Sequence, residues 1–534
     1  MFRFHMFAAV SLFLASFSLI ASPADAADGP LIQTKYGQVE GVETSDSLVF
    51  KGIPYAAAPS GSFRWQAPRE PAAWATPFKA DRFSETCPQL DLFDSKKIGG
   101  TEDCLKLNIW VPKPTDVTRV AGSNVVFKSN PMPVMVFIHG GGNTIGSGSD
   151  RLLGQDLYDG SRLAQEGVVV VTINYRLGIL GFLAHRSLET ADGQVGNYAA
   201  LDQIRALNFV KENIANFGGD PSNVTIFGES AGAINSLILI ASPLSKGLFQ
   251  HAIIESGFLS DLPKAQAESQ GDAFAKAAGC NSDSKNGASL AACLRSLSVD
   301  KILSVTKSIS ASALATAAGT VDGVVLKKGV LETIQAGEHN RVPVIIGTNR
   351  DEMRTLAPAL IDFGVVYTDA DYQKTLEQQF GPEKAALIHA RYPWYMHGSP
   401  RLAVEEAVAD FAAHCPTRQL ARALQASTPE TYRYVFTHTG ENPLLWSLGA
   451  GHGLELPYVF GSLGLANTWH ERSLSKQVRE LWTSFAKTNV PTSERTSDWA
   501  TAANDQYLDI DSFSRMKSGF RTDACDFWDQ LAHQ

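Results

Sequence analysis

The chain has 534 residues, with 46 Lys and Arg against 55 Asp and Glu for a net charge of −9, and 44% of its residues are hydrophobic. That much apolar side chain excludes a disordered or fibrous protein, and the acidic balance argues against a nucleic-acid partner, which selects a basic face. Glycine and proline are spread along the whole length, so no linker divides the chain, and one α/β domain over residues 27–534 is expected.

The first element is a targeting segment. Arg3 precedes an apolar run from Met6 to Ala21, and Ala24-Asp25-Ala26 offers the small residues a signal peptidase needs. The run is short for a bilayer span and is interrupted by Ser11, Ser16 and Ser18, so residues 1–26 are predicted to be a cleaved signal peptide and not an anchor. No later run is long enough to span a membrane. The expected location is therefore outside the cytoplasm, periplasmic or secreted. In an oxidising compartment Cys87, Cys104, Cys280, Cys293, Cys415 and Cys525 read as disulfides. Spacing alone leaves their connectivity open, with sequential pairing the simplest choice. The cysteines lack the tight spacing of a zinc site, and neither H-E-x-x-H nor a calcium loop occurs, so no metal is expected.

Short strands with turns follow over Leu31 to Thr34, Gly37 to Val42 and Leu48 to Gly52. Pro133 to Ile138 is a continuous apolar run ending in glycines, which reads as a strand buried on both faces. Val168 to Asn174 repeats that pattern, with a crossover helix expected between them over Leu157 to Glu166. Ala199 to Phe217 carries Leu201, Ile204, Leu207, Val210 and Ile214 at helical spacing. Val224 to Phe227 is another buried strand and Ala231 to Ile240 another helix. His251 to Glu255, Val342 to Gly347 and Tyr432 to Phe436 read as strands, and Leu474 to Lys487 as a C-terminal helix. The stretch from Ala265 to Lys328, rich in Ala, Ser and Lys, reads as a helical insertion. Strand alternating with helix predicts a parallel, doubly wound sheet.

Phe227-Gly228-Glu229-Ser230-Ala231-Gly232 is G-x-S-x-G between a buried strand and a helix, the context that makes the serine of this motif a nucleophile. The turn is too tight for side chains at Gly228 and Gly232, its strain lifts the Ser230 hydroxyl clear of the backbone, and the helix N-terminus favours developing negative charge. His139-Gly140-Gly141-Gly142 follows the strand ending at Ile138. Glycines there let backbone N–H groups approach a substrate oxygen, and the N–H groups of Gly141, Gly142 and Ala231 can converge on it as an oxyanion hole. No Gly-Lys-Ser/Thr or dinucleotide glycine pattern accompanies them, so no phosphate-bearing cofactor is implied.

A serine hydroxyl needs a base, and the expected chain order is Ser, then Asp or Glu, then His. Nine histidines follow Ser230. His251 lies in a strand just after the nucleophile helix and His533 at the chain end. Position alone does not choose among His339, His389, His397, His414, His438, His452 and His470. His452 stands in the loop Gly449-Ala450-Gly451-His452-Gly453, where a ring can be presented; the others read as surface or capping groups.

These residues, taken in order, resemble the type-B carboxylesterase and cholinesterase family. The resemblance also rests on Glu102 to Ile109, Asn174-Tyr175-Arg176-Leu177-Gly178, Phe217-Gly218-Gly219-Asp220-Pro221, Asn349-Arg350-Asp351-Glu352 and His452 to Phe460, and so covers nearly the whole mature chain. It implies an α/β-hydrolase fold, a large mostly parallel central sheet flanked by helices, with insertions forming a gorge over the active site. It implies Ser230 as nucleophile, Glu352 as triad acid and His452 as base, oxyanion donors at Gly141, Gly142 and Ala231, and bridges Cys87–Cys104, Cys280–Cys293 and Cys415–Cys525. Asp351 is the rival acid, read as a solvated or loop-capping neighbour of Glu352. Glu229 and Ser256 read as supports of the triad or as structural hydrogen-bonding groups.

The chain also departs from the family. The segment from Cys87 to Cys104 lacks the Trp on which cholinesterases stack choline. Asn143 stands where an aromatic residue usually follows the glycines, which alters the expected pocket wall. Arg350 and Arg354 flank the acid and read as surface or ion-paired residues; if either reached the gorge, an anionic substrate would be favoured. Exported bacterial members of this family include esterases that remove tricarballylate chains from fumonisins, so an ester bearing free carboxylates is the alternative substrate. The expected activity is hydrolysis of a small-molecule carboxylic ester through an acyl-enzyme, without cofactor or metal and without a membrane anchor after signal cleavage. An amidase, a lipase and a non-catalytic binding protein on the same fold are the competing readings.

Overall fold

The computed structural model describes residues 29–532 apart from 92–96, 114–116, 121–123, 128–129, 153, 281–288, 310–316 and 361–365. The signal peptide expected over residues 1–26 lies outside the described residues, as do parts of the expected insertion. The central sheet has eleven strands: β1 (Val42–Glu43), β2 (Ser47–Pro54), β3 (Lys106–Pro112), β4 (Met132–Ile138), β5 (Val169–Ile173), β6 (Gly219–Glu229), β7 (His251–Glu255), β8 (Val344–Asn349), β9 (Thr431–Phe436), β10 (Gln506–Ile510) and β11 (Arg515–Ser518). Their order across the sheet is β11-β10-β9-β8-β7-β6-β4-β5-β3-β2-β1. From β5 to β10 every neighbour is parallel. The edges differ from the parallel sheet that the strand–helix alternation predicts. β1, β2 and β3 form an antiparallel meander onto β5, and β11 returns antiparallel on β10. The turn from β10 to β11 is too short for the crossover that a parallel neighbour requires.

Strand alternation sends each side of β4 into a different core. Val134, Val136 and Ile138 pack with Leu207, Val210 and Leu237, while Met135 and Phe137 pack with Leu481, Trp482 and Phe485 on the other face. Helices cover both faces, as burial of strands on two sides demands. The helix expected over Leu157 to Glu166 shortens to α1 (Ser161–Gln165). The reason is close approach: a Cβ on Gly160 would lie 2.9 Å from the Trp110 ring, so the chain there lies against the sheet before it can coil. Next come α2 (Tyr198–Asn213) and α3 (Ala231–Ala241). The sequence of α3, Ala-Gly-Ala-Ile-Asn-Ser-Leu-Ile-Leu-Ile-Ala, is apolar nearly all round, which suits a helix buried on every side. The insertion is helical as expected, with α4 (Lys264–Ala278), α5 (Leu290–Ser296) and α6 (Val299–Ile309), and it closes with a strand over Gly319–Val321 paired to Asp261–Pro263.

A helical region that periodicity did not announce follows β8. It comprises α7 (Asp369–Arg391), broken at Gly381 and Pro382, then α8 (Pro400–Ala409), one π turn over Asp410–His414, and α9 (Cys415–Ser427). The C-terminal helices are α10 (Trp469–Thr488) and α11 (Thr522–Ala532). Cys87 is joined to Cys104, Cys280 to Cys293 and Cys415 to Cys525.

Candidate active site

The site forms at the carboxyl ends of β4, β6 and β8, where parallel sheets gather loops. Ser230 sits between β6 and α3 with φ 56° and ψ −122°, a conformation a non-glycine residue holds only when its surroundings enforce it. The enforcement is local. A Cβ on Gly232 would stand 1.8 Å from the Ile138 carbonyl oxygen, and one on Gly228 2.6 Å from the Gly232 backbone. Only glycine permits β4, β6 and α3 to meet this closely. The Ser230 N–H is fixed by the Glu255 carbonyl at 2.9 Å, and the Ser230 carbonyl accepts from Ile234 N–H at 3.0 Å.

The glycine loop after β4 touches this turn. A Cβ on Gly140 would lie 3.1 Å from the Ser230 Cβ and 2.6 Å from Glu229 Oε2. Gly141 and Gly142 follow with φ 94° and 61°, so the loop bends through left-handed conformations beside the nucleophile. The N–H groups of Gly141, Gly142 and Ala231, the three expected oxyanion donors, therefore belong to one loop and one helix start packed against each other.

His452 arrives from the loop after β9. Its Nδ1 lies 2.6 Å from Glu352 Oε2, and Glu352 Oε1 accepts from the Asn349 N–H at 2.8 Å. Burial pushes the Glu352 carboxyl up, but the His452 charge and hydrogen bond outweigh it and hold Glu352 below the ordinary carboxylate range. The other ring nitrogen, Nε2, is 3.0 Å from Glu229 Oε1. These two atoms are not aligned for a hydrogen bond, so the contact is electrostatic and Nε2 keeps its direction free for another partner. Burial lowers the His452 pKa, yet the charges of Glu229 and Glu352 prevail and raise it to about 9. Burial raises Glu229 to about 7. Phe258 stacks on the imidazole at 5.7 Å between centroids, and Thr355 Oγ1 donates to the His452 carbonyl at 3.0 Å.

The structure brings Ser230, His452, Glu352, Glu229 and the glycine loop together. Ser256 adjoins them at φ 53°, its N–H bound to the Gly347 carbonyl at 2.9 Å. The remaining histidines are engaged elsewhere. His389, His397 and His470 pair with Asp369, Glu406 and Glu441, and the His339 ring lies 3.5 Å from Ser427 Oγ. His339, His414 and His438 correct the surface reading: all three are buried, His414 on Asp410 and His438 between Glu471 and Asp511. Asp351 caps the histidine loop. Its Oδ2 accepts from Ala450 N–H at 2.9 Å, and it binds Arg350 at 2.8 Å and Arg354 at 3.4 Å. The two arginines face a cavity of about 290 Å³, also lined by Glu405, Glu406 and Arg521, whose lining does not include Ser230 or His452.

Two buried glutamates escaped the sequence reading. Glu455, three residues after His452, accepts from Asn349 Nδ2, and burial raises it to about 8. Glu255 accepts from Trp482 Nε1 at 2.5 Å, and burial holds it well above the ordinary range. Their signal was a carboxylate placed inside an apolar segment, as in His251-Ala-Ile-Ile-Glu255.

Known proteins carry the same plan. The carboxylesterase family model matches residues 28–528. Fumonisin B1 esterase of Sphingopyxis macrogoltabida is 35% identical, over 91% of this chain and 87% of its own. Para-nitrobenzyl esterase of Bacillus subtilis is 34% identical, over 87% of this chain and 91% of its own. A solved structure of PNB esterase superposes with a TM-score of 0.78 at 32% identity, covering 93% of this chain and 99% of that one, and its fold is the α/β-hydrolase fold. With an eleven-stranded mixed sheet, a G-x-S-x-G turn at its centre and a family match along nearly its whole length, this chain belongs to the carboxylesterase family and is a carboxylic ester hydrolase.

Proposed function

We propose that the protein is an exported serine carboxylesterase in which Ser230, His452 and Glu352 act as the catalytic triad and the N–H groups of Gly141, Gly142 and Ala231 as the oxyanion hole. The observation that supports it best is convergence: Gly140 abuts Ser230, Glu229 abuts His452, and His452 Nδ1 is held by Glu352 at 2.6 Å, although these residues come from segments far apart in the chain. In this reading Ser230 Oγ attacks the ester carbonyl carbon while His452 Nε2 takes the hydroxyl proton. Glu352 keeps the ring oriented and stabilises its cation. The tetrahedral oxyanion is held by the three backbone donors. Collapse expels the alkoxide, which takes the proton from His452 and leaves as the alcohol. A water molecule then gives its proton to His452 and attacks the acyl carbon, the acid is released, and Ser230 regains its proton. Export is supported by the three disulfides, which persist in oxidising compartments.

A fluorophosphonate probe and a short-chain nitrophenyl ester test the reading together. Wild-type protein is expected to be labelled on Ser230 and to hydrolyse the ester. Ser230→Ala is expected to lose labelling and about 10⁴-fold or more of kcat. Full activity in Ser230→Ala would overturn it.

A second substrate class, esters bearing free carboxylates, is favoured by the likeness to a fumonisin B1 esterase. Arg350 and Arg354 do not support it, since both pair with Asp351 and face a cavity whose lining does not include Ser230 or His452. A panel of neutral acyl esters against carboxylate-bearing esters decides between the two classes, and preference for the second would call for cations other than these to bind the acid.

A further inference from the structure

Asn143 departs from the aromatic residue expected after the three glycines, and the expectation that it alters the pocket wall does not match where its side chain goes. The residue is only 2% exposed and its amide is spent inside the protein. Oδ1 accepts from Asn235 Nδ2 at 2.8 Å and Nδ2 donates to the Ala317 carbonyl at 3.0 Å. The Tyr175 hydroxyl lies 3.3 Å from the same Oδ1 but 2.7 Å from the His139 carbonyl. With one proton to give, it favours the carbonyl, which leaves Asn235 as the principal donor to Oδ1. The Asn143 carbonyl accepts from Gly178 N–H at 2.6 Å.

The backbone here is unusual in the same place. Gly141, Gly142 and Asn143 are consecutive residues with φ 94°, 61° and 57°. Asn is among the few residues with a side chain that enter this region readily. An aromatic side chain there would be strained, and it would take the Asn143 acceptor away from Asn235, which is fully buried on α3. The Asn143–Asn235 bond therefore joins the glycine loop to the helix that begins at Ala231. These are the two bodies that supply the oxyanion donors: Gly141 and Gly142 from the loop, Ala231 from the helix.

We infer that Asn143 is a positioning residue of the oxyanion hole. It touches no substrate; through Asn235 it fixes the Gly141 and Gly142 peptides relative to Ala231 and Ser230. This inference rests on the serine-esterase reading above. Preorganised donors stabilise an oxyanion because they need not reorient as charge develops, so loosening the link lowers kcat more than it weakens ground-state binding.

The test uses Asn143→Gly, which keeps the left-handed φ without strain but removes the amide, and Asn235→Ala, which removes the same link from the helix side. Three quantities are read: kcat and KM on a nitrophenyl ester, affinity for a trifluoromethyl ketone, and rate of fluorophosphonate labelling. In the ketone complex Ser230 Oγ bonds to the ketone carbon, His452 takes the proton, and the ketone oxygen becomes an oxyanion. Each variant is expected to lose ten- to a hundredfold in kcat with KM within threefold, and ketone affinity is expected to fall by the same factor as kcat/KM. The double variant is expected to be no worse than the poorer single one, because both remove one link. If either folded variant keeps kcat and ketone affinity within twofold of wild type, the inference is wrong. Asn235→Ala decides the matter alone if Asn143→Gly does not fold. Failure of the serine-esterase reading looks different: wild-type protein itself would resist the phosphonate and leave the ester intact.

Discussion

Glu229, Glu352 and Glu455 lie buried around the His452 imidazole, and burial beside other carboxylates disfavours charge on each. Glu352 alone of the three is held low, because the charge and hydrogen bond of His452 outweigh its burial. Glu229 and Glu455 rise to about 7 and about 8. The imidazole responds in the opposite sense, rising to about 9 between Glu229 and Glu352. In the proposed triad a protonated imidazole cannot accept a proton from Ser230, so activity is expected to fall as pH falls through the His452 pKa. Replacing Glu229 by Gln removes the first of the three carboxylate charges, Glu229, Glu352 and Glu455, that favour the cation. The His452 pKa then drops, neutral imidazole persists to lower pH, and the acid limb of the kcat/KM profile is expected to move down by about one unit or more. The check is a kcat/KM profile for Glu229→Gln against wild type; a limb that stays put or moves up would show that Glu229 does not hold the proton on His452.

The π turn over Asp410–His414 links the segment of Glu352, the proposed triad acid, to the C-terminal helices. Single π turns inside α-helical runs recur at functional sites because one extra residue rotates the side chains that follow. Here the turn aims His414 so that Nε2 donates to the Asn349 carbonyl at 3.0 Å while Nδ1 lies 2.9 Å from Asp410. Asp410 also accepts from Tyr392 at 2.8 Å and from Arg521 at 2.7 Å. The peptide thus anchored is the start of the loop that carries Glu352. His414→Phe fills the volume but takes the ring's donor from the Asn349 carbonyl and leaves Asp410 with Tyr392 and Arg521 alone. Thermal denaturation is expected to show a loss of about 1–3 kcal/mol, and kcat/KM to fall severalfold as Glu352 loses its anchor. An unshifted melting temperature would mean that the turn is incidental. Nothing in the sequence announced this element, and the reason is physical. Buried parallel strands such as β4 and β5 are legible because burial on both faces leaves a continuous apolar run. Ser230 and the glycine loop are legible because the backbone there admits no Cβ at Gly228, Gly232 or Gly140. Glu352 was reached only through resemblance, since a carboxylate at a strand end becomes an acid through what folds against it. The contacts of His414 with Asn349, of Glu455 with Asn349 and of Asn143 with Asn235 join segments 65, 106 and 92 residues apart, a packing that periodicity does not encode.

Across the whole molecule, the Cys415–Cys525 bridge ties α9 to α11 across a sequence separation of 110, against 17 for Cys87–Cys104 and 13 for Cys280–Cys293. In the chain-entropy account a cross-link stabilises by restricting the unfolded chain, so the long loop contributes about 4–5 kcal/mol and each short one about 3. The native surroundings point the same way. Cys415 and Cys525 are buried in a cluster with Tyr372, Tyr392 and Trp528. Beside the bridge, Arg418 binds Asp505 at 2.7 Å and Asp526 at 2.9 Å, so the same two helices are also joined by charge. Loosening α11 reaches the proposed triad as well, because Arg521, which precedes it, is the partner of Asp410. Replacing Cys415 and Cys525 together by Ala is therefore expected to lower the urea midpoint more than replacing Cys280 and Cys293 together, and to reduce ester hydrolysis below that midpoint. The short-loop pair is expected to change stability with little effect on kcat, since its bridge joins segments of the insertion and not the supports of Glu352. Equal midpoint losses for the two pairs would contradict the loop-length argument. Unchanged kcat in the Cys415/Cys525 variant would rule out a functional connection from α11 through Arg521, Asp410 and His414 to Glu352, the proposed acid.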